Sequence, residues 1–168
     1  DEPYSEKPWP QTEKNYAAMV TRMDRDVGRI VERLEALGLT GNTIVFFTSD
    51  NGPCKTASHD PAFFNSAGPF QGLKRDLYEG GIRVPMVARW PGHVPAGRTS
   101  DQVWAFWDVM PTLAELAGLP APEKTDGISM VPALLGEPQK AQHEYLYWDY
   151  GHMRDTYMQA VRMGDWKG

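Results

Sequence analysis

An α/β domain followed by a small antiparallel sheet is the fold class this sequence predicts, and three features carry the prediction. A long amphipathic helical pattern feeds a short run of apolar, β-branched and aromatic residues, the ordering of an α/β layer. A second such run, Ile82 to Trp90, follows a glycine-rich loop. The last third holds two aromatic segments, Tyr145–Trp148 and Tyr157–Met163, that read as paired strands.

In chain order, residues Asp1 to Pro10 hold three prolines and mixed charges without periodicity, the composition of an extended lead-in. Tyr16, Met19, Val20, Met23, Val27, Ile30, Val31, Leu34 and Leu37 then recur at three- and four-residue steps, which places them on one helical face. The opposite face is charged, and Gly38 stands where a left-handed cap would end the helix. Thr43–Thr48 has the pattern of a strand covered on both faces, as in a parallel sheet with flanking helices. From Gly52 to Gly72 the chain is rich in Gly, Pro, Ser and Asn and carries Phe63, Phe64 and Phe70; so long a connection reads as a functional loop.

Gly80-Gly81 turns into the second strand, where Pro85 fits an edge or a bulge better than a central position. A helix is expected from about Trp107 to Ala117, with Met110, Leu113, Ala114 and Ala117 on one side and Gly118 as its stop. A helical turn follows near Met130 to Leu135. The predicted organisation is a lead-in over 1–14, an α/β core over 15–120 and a small C-terminal α+β subdomain over 121–168.

With 168 residues, 41% hydrophobic and 23% charged, the chain can bury one sizeable core. Its net charge of -5 argues against a nucleic-acid binder, which needs a basic surface. No apolar run approaches the roughly 20 residues of a membrane-spanning helix. Cys54 is the single cysteine, so no internal disulfide forms, and alone it makes no zinc site. Asp1-Glu2-Pro3-Tyr4 lacks an initiator Met and Trp166-Lys167-Gly168 closes on a strand-like stretch; both ends read as cuts from a longer protein.

Ser49-Asp50-Asn51-Gly52 follows directly on the first strand, at the carboxyl edge where open α/β sheets bind ligands. Two adjacent oxygen donors with no His or Cys beside them suit calcium or magnesium better than zinc or copper. The competing reading is a tight turn, since Asp-Asn-Gly tolerates positive φ.

Phe46-Phe47-Thr48-Ser49-Asp50-Asn51-Gly52-Pro53, followed by Gly72-Leu73-Lys74-Arg75-Asp76-Leu77-Tyr78-Glu79-Gly80-Gly81-Ile82-Arg83-Val84-Pro85, resembles the type I, formylglycine-dependent sulfatase family. The likeness continues through Ala88-Arg89-Trp90-Pro91-Gly92, Asp108-Val109-Met110-Pro111-Thr112 and Ala160–Lys167. Asp60-Pro61-Ala62-Phe63-Phe64-Asn65-Ser66 is similar to the branch that includes galactosamine-6-sulfatases, of arylsulfatase A-like type. The resemblance implies the C-terminal part of an alkaline-phosphatase-like sheet with flanking helices.

It also implies hydrolysis of a sulfate ester, on a sulfated carbohydrate or aryl compound. Asp50 and Asn51 would be ligands of Ca2+, with Mg2+ as the second candidate. Lys74 would be a catalytic residue in contact with the sulfate, a compact cation suited to charge that gathers in the transition state; read without the family it is a solvated surface amine. The family's nucleophile is a formylglycine made from Cys or Ser in a Cys/Ser-x-Pro/Ala-x-Arg pentapeptide. No such pentapeptide occurs here, because Thr56 and Ser58 stand at the decisive positions after Cys54. The nucleophile is therefore expected in an N-terminal remainder of the enzyme, and this chain is expected to be inactive alone.

His59, between the metal motif and Lys74, could bind a sugar hydroxyl or sulfate; its alternative is a solvent-facing loop histidine. His152 has weaker support, His93 reads as turn chemistry and His143 as a surface residue. Glu79 and Arg83, which flank the Gly80-Gly81 turn, are expected to brace Lys74 through ion pairing, and Trp104, Phe106 and Trp107 to pack in the core. The resemblance implies a periplasmic, extracellular or lysosomal home. Two rivals stay open: a phosphoesterase or phosphonate hydrolase of the same superfamily, disfavoured by Asn51 where those relatives usually place His, and a noncatalytic sulfated-glycan-binding module.

Overall fold

The computed structural model describes residues 2–153 and 156–168, in two compact units, Asp1–Val87 and Ala88–Gly168. In the first, helix α1 spans Gln11–Ala36. It starts a turn earlier than the apolar periodicity alone marks, and it ends as Gly38 predicts. Gly38 has φ +67°, its N–H donates to Glu35 O, and the Leu39 N–H reaches back to Leu34 O, so two terminal carbonyls are satisfied.

The apolar stripe of α1 is largely open. Met19, Val20, Met23, Ile30 and Leu37 are all exposed, whereas the one buried side chain of the helix is the carboxylate of Glu13. The lead-in is folded rather than extended: Tyr4 stacks on Trp9, the Tyr4 hydroxyl meets Thr21 Oγ1 at 2.8 Å, and the Lys14 ammonium donates to Ser5 O.

Strand β1 is Val45–Thr48, a one-turn helix α2 covers Glu79–Ile82, and strand β2 is Met86–Arg89. The expected strand from Ile82 is thus shorter: the Gly80-Gly81 segment coils into α2, and Pro85 sits just ahead of β2, where a missing N–H breaks no ladder. β1 and β2 make a two-stranded sheet among the described residues. With no further strand beside them, Phe47 stays 41% exposed, so β1 is not covered on both faces as the sequence suggests.

In the second unit a 3-10 turn over Phe106–Asp108 leads into α3, Val109–Leu116, and α4 is Val131–Leu135. The face of α3 that packs is not the apolar one. Met110 and Leu113 are exposed, while Asp108, Pro111 and Thr112 are buried. The reason is hydrogen bonding: both Asp108 carboxylate oxygens are used, one accepting from Ala105 N–H at 2.7 Å and the other from Ile128 N–H at 2.9 Å. Thr112 Oγ1 donates to Asp108 O and accepts from Met130 N–H. Met130, Val131 and Leu134 form the apolar core around this point.

His143 is not a surface residue. Its side chain is 14% exposed and its Nε2 lies 2.7 Å from Asp108 Oδ1, the carboxylate itself having no exposure at all. Trp107 packs over the same ring and against Trp148, while Phe106 is exposed and lies outside the expected aromatic core.

The C-terminal sheet has three strands rather than two, in the order β3 (Leu146–Met153), β4 (Thr156–Met163), β5 (Trp166–Lys167), all antiparallel. Leu146 and Ala160 are buried on one face. On the other, Asp149 accepts from the Tyr157 hydroxyl, Gln159 Nε2 and Gly151 N–H, beside a register shift between Asp149 and Gly151. The Tyr157 hydroxyl, first of these donors, holds the Asp149 carboxyl below its ordinary pKa.

Removing the Asp108 carboxylate strands two backbone N–H groups and an imidazole in a buried site, a loss on the order of 3 kcal/mol or more. Asp108→Ala should therefore lower the thermal unfolding midpoint by several degrees; a midpoint equal to wild type by circular dichroism would contradict this account of the hub.

Candidate active site

The site is assembled from backbone contacts that only glycine allows. β1 delivers Ser49-Asp50-Asn51 to its carboxyl end, and Thr48 Oγ1 donates to Pro85 O at 2.9 Å. Ser49 Oγ closes the turn onto Asn51 O at 2.8 Å. Gly52 N–H then donates to Gly81 O at 2.8 Å, so close that a Cβ on Gly52 would lie 1.8 Å from Gly80 O. Cβ atoms on Gly80 and Gly81 would in turn fall 2.2 Å from Gly72 O and 2.1 Å from Asp76 O. Three chain segments touch here main chain to main chain.

The loop carrying Lys74 is held into the same patch. Lys74 N–H donates to Pro53 O at 2.8 Å, joining it to the residues directly after Asp50-Asn51. Arg75 takes φ +84°, and Asp76 caps the turn, its Oδ2 accepting from Leu73 N–H at 2.8 Å. The Lys74 and Asp50 side chains are exposed and Asn51 is half-buried. Glu79 and Arg83 do approach, at 3.9 Å, while the Arg83 guanidinium lies over Phe70.

Asp50 and Asn51 offer the donor chemistry of a hard cation site. Asn51 Nδ2 donates to Gly52 O, so its Oδ1 is the atom left to ligate a cation, the same donor type as the carboxylate of the preceding residue Asp50. Calcium takes six to eight oxygens, so these two residues fit as part of a ligand set. Among the described residues no group of three or more His, Cys, Asp or Glu converges to complete one.

His59 is buried, 7% exposed, and not a solvent-facing loop residue. Its Nδ1 is 2.6 Å from Glu13 Oε2, and its ring stacks on Tyr16 with centroids 3.5 Å apart and planes 4° from parallel. Glu13 Oε1 accepts from Asp60 N–H at 3.0 Å. Burial pushes the Glu13 carboxyl up, but the Asp60 N–H and His59 together outweigh it and leave its pKa below the ordinary value. Asp60 is lowered too, by the Ala62 N–H and by Lys55 at 3.0 Å. Glu13 escapes a sequence reading built on apolar residues; its signal is an acid standing three residues before Tyr16, on the same helical stripe. Cys54 is exposed, its Sγ making only a 3.7 Å contact with Lys55 O.

The sulfatase family profile matches residues 2–119. This chain belongs to the sulfatase family. It is 39% identical to steryl-sulfatase of Mus musculus over 88% of its length and 40% identical to N-acetylgalactosamine-6-sulfatase of Homo sapiens over 94%. Those alignments take in 24% and 34% of the two relatives, so the chain spans a quarter to a third of them. Among solved structures it is similar to Ps i-CgsB in complex with k-i-k-neocarrahexaose, with a TM-score of 0.79 and 34% identity over 95% of this chain and 34% of that one. The fold is the alkaline-phosphatase-like α/β fold, closed by a small antiparallel sheet.

Two outcomes follow from this sulfatase geometry. Gly52→Ala should not be accommodated, since the obstacle is main chain rather than a movable side chain; the variant should lose at least about 3 kcal/mol in urea unfolding, the upper end of what ordinary overpacking costs. For Glu13 and Asp60, folded pKa values below the unfolded ones mean stability that is complete above the ordinary carboxylate range, near pH 4. That stability is lost as pH falls through the depressed values. Melting curves should therefore show a midpoint dropping below about pH 4, with a shallower drop in Glu13→Gln.

Proposed function

We propose that this chain is the C-terminal part of an enzyme that hydrolyses sulfate esters and that it supplies part of the cation and sulfate site. In this reading Asp50 and Asn51 give oxygen ligands to a divalent cation, Ca2+ with Mg2+ as the second candidate. Lys74 is the catalytic residue that sets its ammonium against the sulfate oxygens. The observation that carries the reading is the 2.8 Å bond from Lys74 N–H to Pro53 O, which joins the cation's loop to the lysine's loop. Family membership supports the reaction class, and the donor chemistry of Asp50 and Asn51 supports a hard metal.

A bound divalent cation would offset negative charge on the ester oxygens as a Lewis acid. The part played by these residues is preorganisation. The glycine contacts fix the turn that carries Asp50 and Asn51, so their oxygens need no reordering as charge develops on the substrate. Lys74, on a loop bonded to the same segment, adds a positive charge whose base is equally fixed. The nucleophile, a formylglycine in this reading, comes from outside these residues, in the N-terminal remainder of the enzyme; this chain alone is then inactive.

The substrate class proposed is a sulfated carbohydrate or an aryl sulfate, by analogy with relatives named for a sulfated sugar and a steryl ester. An address in the periplasm, the lysosome or outside the cell accompanies that substrate. No helix among the described residues is long and apolar enough to cross a membrane.

In the full-length enzyme, Asp50→Ala and Lys74→Ala should each lower kcat/KM for an aryl sulfate by about 10²-fold or more, the scale seen when a preplaced charge-stabilising group is removed. The matched aryl phosphate should be the poorer substrate of the wild-type protein. Wild-type rates in Asp50→Ala would sink the assignment, and a preference for the phosphate would favour the phosphoesterase reading.

A further inference from the structure

We propose that Glu13 and His59 are positioning residues for Lys74, acting as a buried latch on the loop between Pro53 and Gly72; the catalytic meaning of this rests on the function proposed above. The ring of His59 is sealed by this chain's own residues. Its Nε2 is buried without a hydrogen-bond partner, so no polar substrate atom reaches it as the loop stands. Further protein could cover His59 more but could not uncover it without moving the loop.

The latch grips the loop at its middle through three contacts from one helix. Glu13 uses both oxygens, Oε2 on His59 Nδ1 and Oε1 on Asp60 N–H, and Tyr16 presents its ring face to the imidazole. A carboxylate held in its ionised form can only accept, so Nδ1 carries the proton and donates. Thr56 and His59 exchange backbone hydrogen bonds, 3.0 and 3.4 Å, which close the short turn between Pro53 and the latch. From Pro53 the Lys74 bond completes the path. Burying a carboxylate together with an imidazole that leaves one nitrogen unpaired is costly in stability, since the unpaired nitrogen has given up its hydrogen bond to water. An apolar pair would hold α1 against the loop at lower cost, but it would not fix two adjacent residues in a single register.

The experiment uses the full-length enzyme with His59→Ala, His59→Asn and Glu13→Gln. Each is measured for kcat and KM on an aryl sulfate and for amide hydrogen exchange across residues 54–72. Asparagine can place an N–H close to that of Nδ1 but has no atom at Nε2. Expected are exchange faster by about tenfold or more and a kcat/KM lowered by about tenfold to a hundredfold in His59→Ala and Glu13→Gln, mainly in kcat, the scale of a small misplacement of a catalytic group. His59→Asn should recover most of both losses.

Unchanged exchange in His59→Ala or Glu13→Gln would overturn the latch. So would His59→Asn as inactive as His59→Ala with wild-type exchange, the result expected if Nε2 met the substrate. Should His59→Ala not fold, Glu13→Gln decides alone: faster exchange supports the latch and wild-type exchange refutes it. The exchange measurement needs no substrate, so it tests the latch even if the parent enzyme proves not to cleave sulfate esters.

Discussion

The first unit depends on a main-chain contact too close for any side chain. Gly52 lies against Gly80 and Gly81, and these in turn lie against Gly72 and Asp76, so the turn after β1 and the loop around Lys74 form one piece of backbone. A contact of this kind gains little from burial, because glycine has no side chain to bury. Its value is geometric: it removes the freedom of two loops at once, and loops are otherwise the least constrained part of a fold. The side chains proposed to bind the cation and the sulfate then project from a base that is already fixed.

Buried carboxylates perform a corresponding task within each unit. Among the described residues each unit holds a carboxylate and imidazole pair, Glu13 with His59 and Asp108 with His143, and each carboxylate also accepts from backbone N–H, Asp60 for Glu13 and Ala105 and Ile128 for Asp108. Apolar packing holds surfaces together without fixing their register, whereas a carboxylate with two occupied oxygens selects one arrangement of the groups around it. Such pairs add less to net stability than an apolar core would, and breaking one leaves an uncompensated charge. They suit loops that must be placed rather than merely covered.

Much of α1 and α3 presents apolar residues to solvent, while the buried positions are Glu13 in α1 and Pro111 and Thr112 in α3. For α3 the cause is local, since Asp108 and Thr112 satisfy the segment from Ile128 to Met130 and take the inward face with them. For α1 the inward position belongs to Glu13, and the open stripe is surface that nothing among the described residues covers. Periodicity identifies helices reliably because it reflects 3.6 residues per turn, but which face packs depends on partners that lie elsewhere in the chain.

The sequence by itself determined the long first helix and its stop at Gly38, the strand delivering Asp50 and Asn51, the paired C-terminal strands and the family. Each is a local matter of apolar spacing, turn residues or a contiguous motif. Tertiary structure alone decided that His59 is buried and His143 largely covered, that Glu13 and Asp108 are their partners, and that Gly80-Gly81 coils into a helical turn against Gly52. The reason is distance along the chain: Glu13 and His59 stand 46 residues apart and Asp108 and His143 stand 35 apart, and no local pattern records which distant groups will share a buried hydrogen bond.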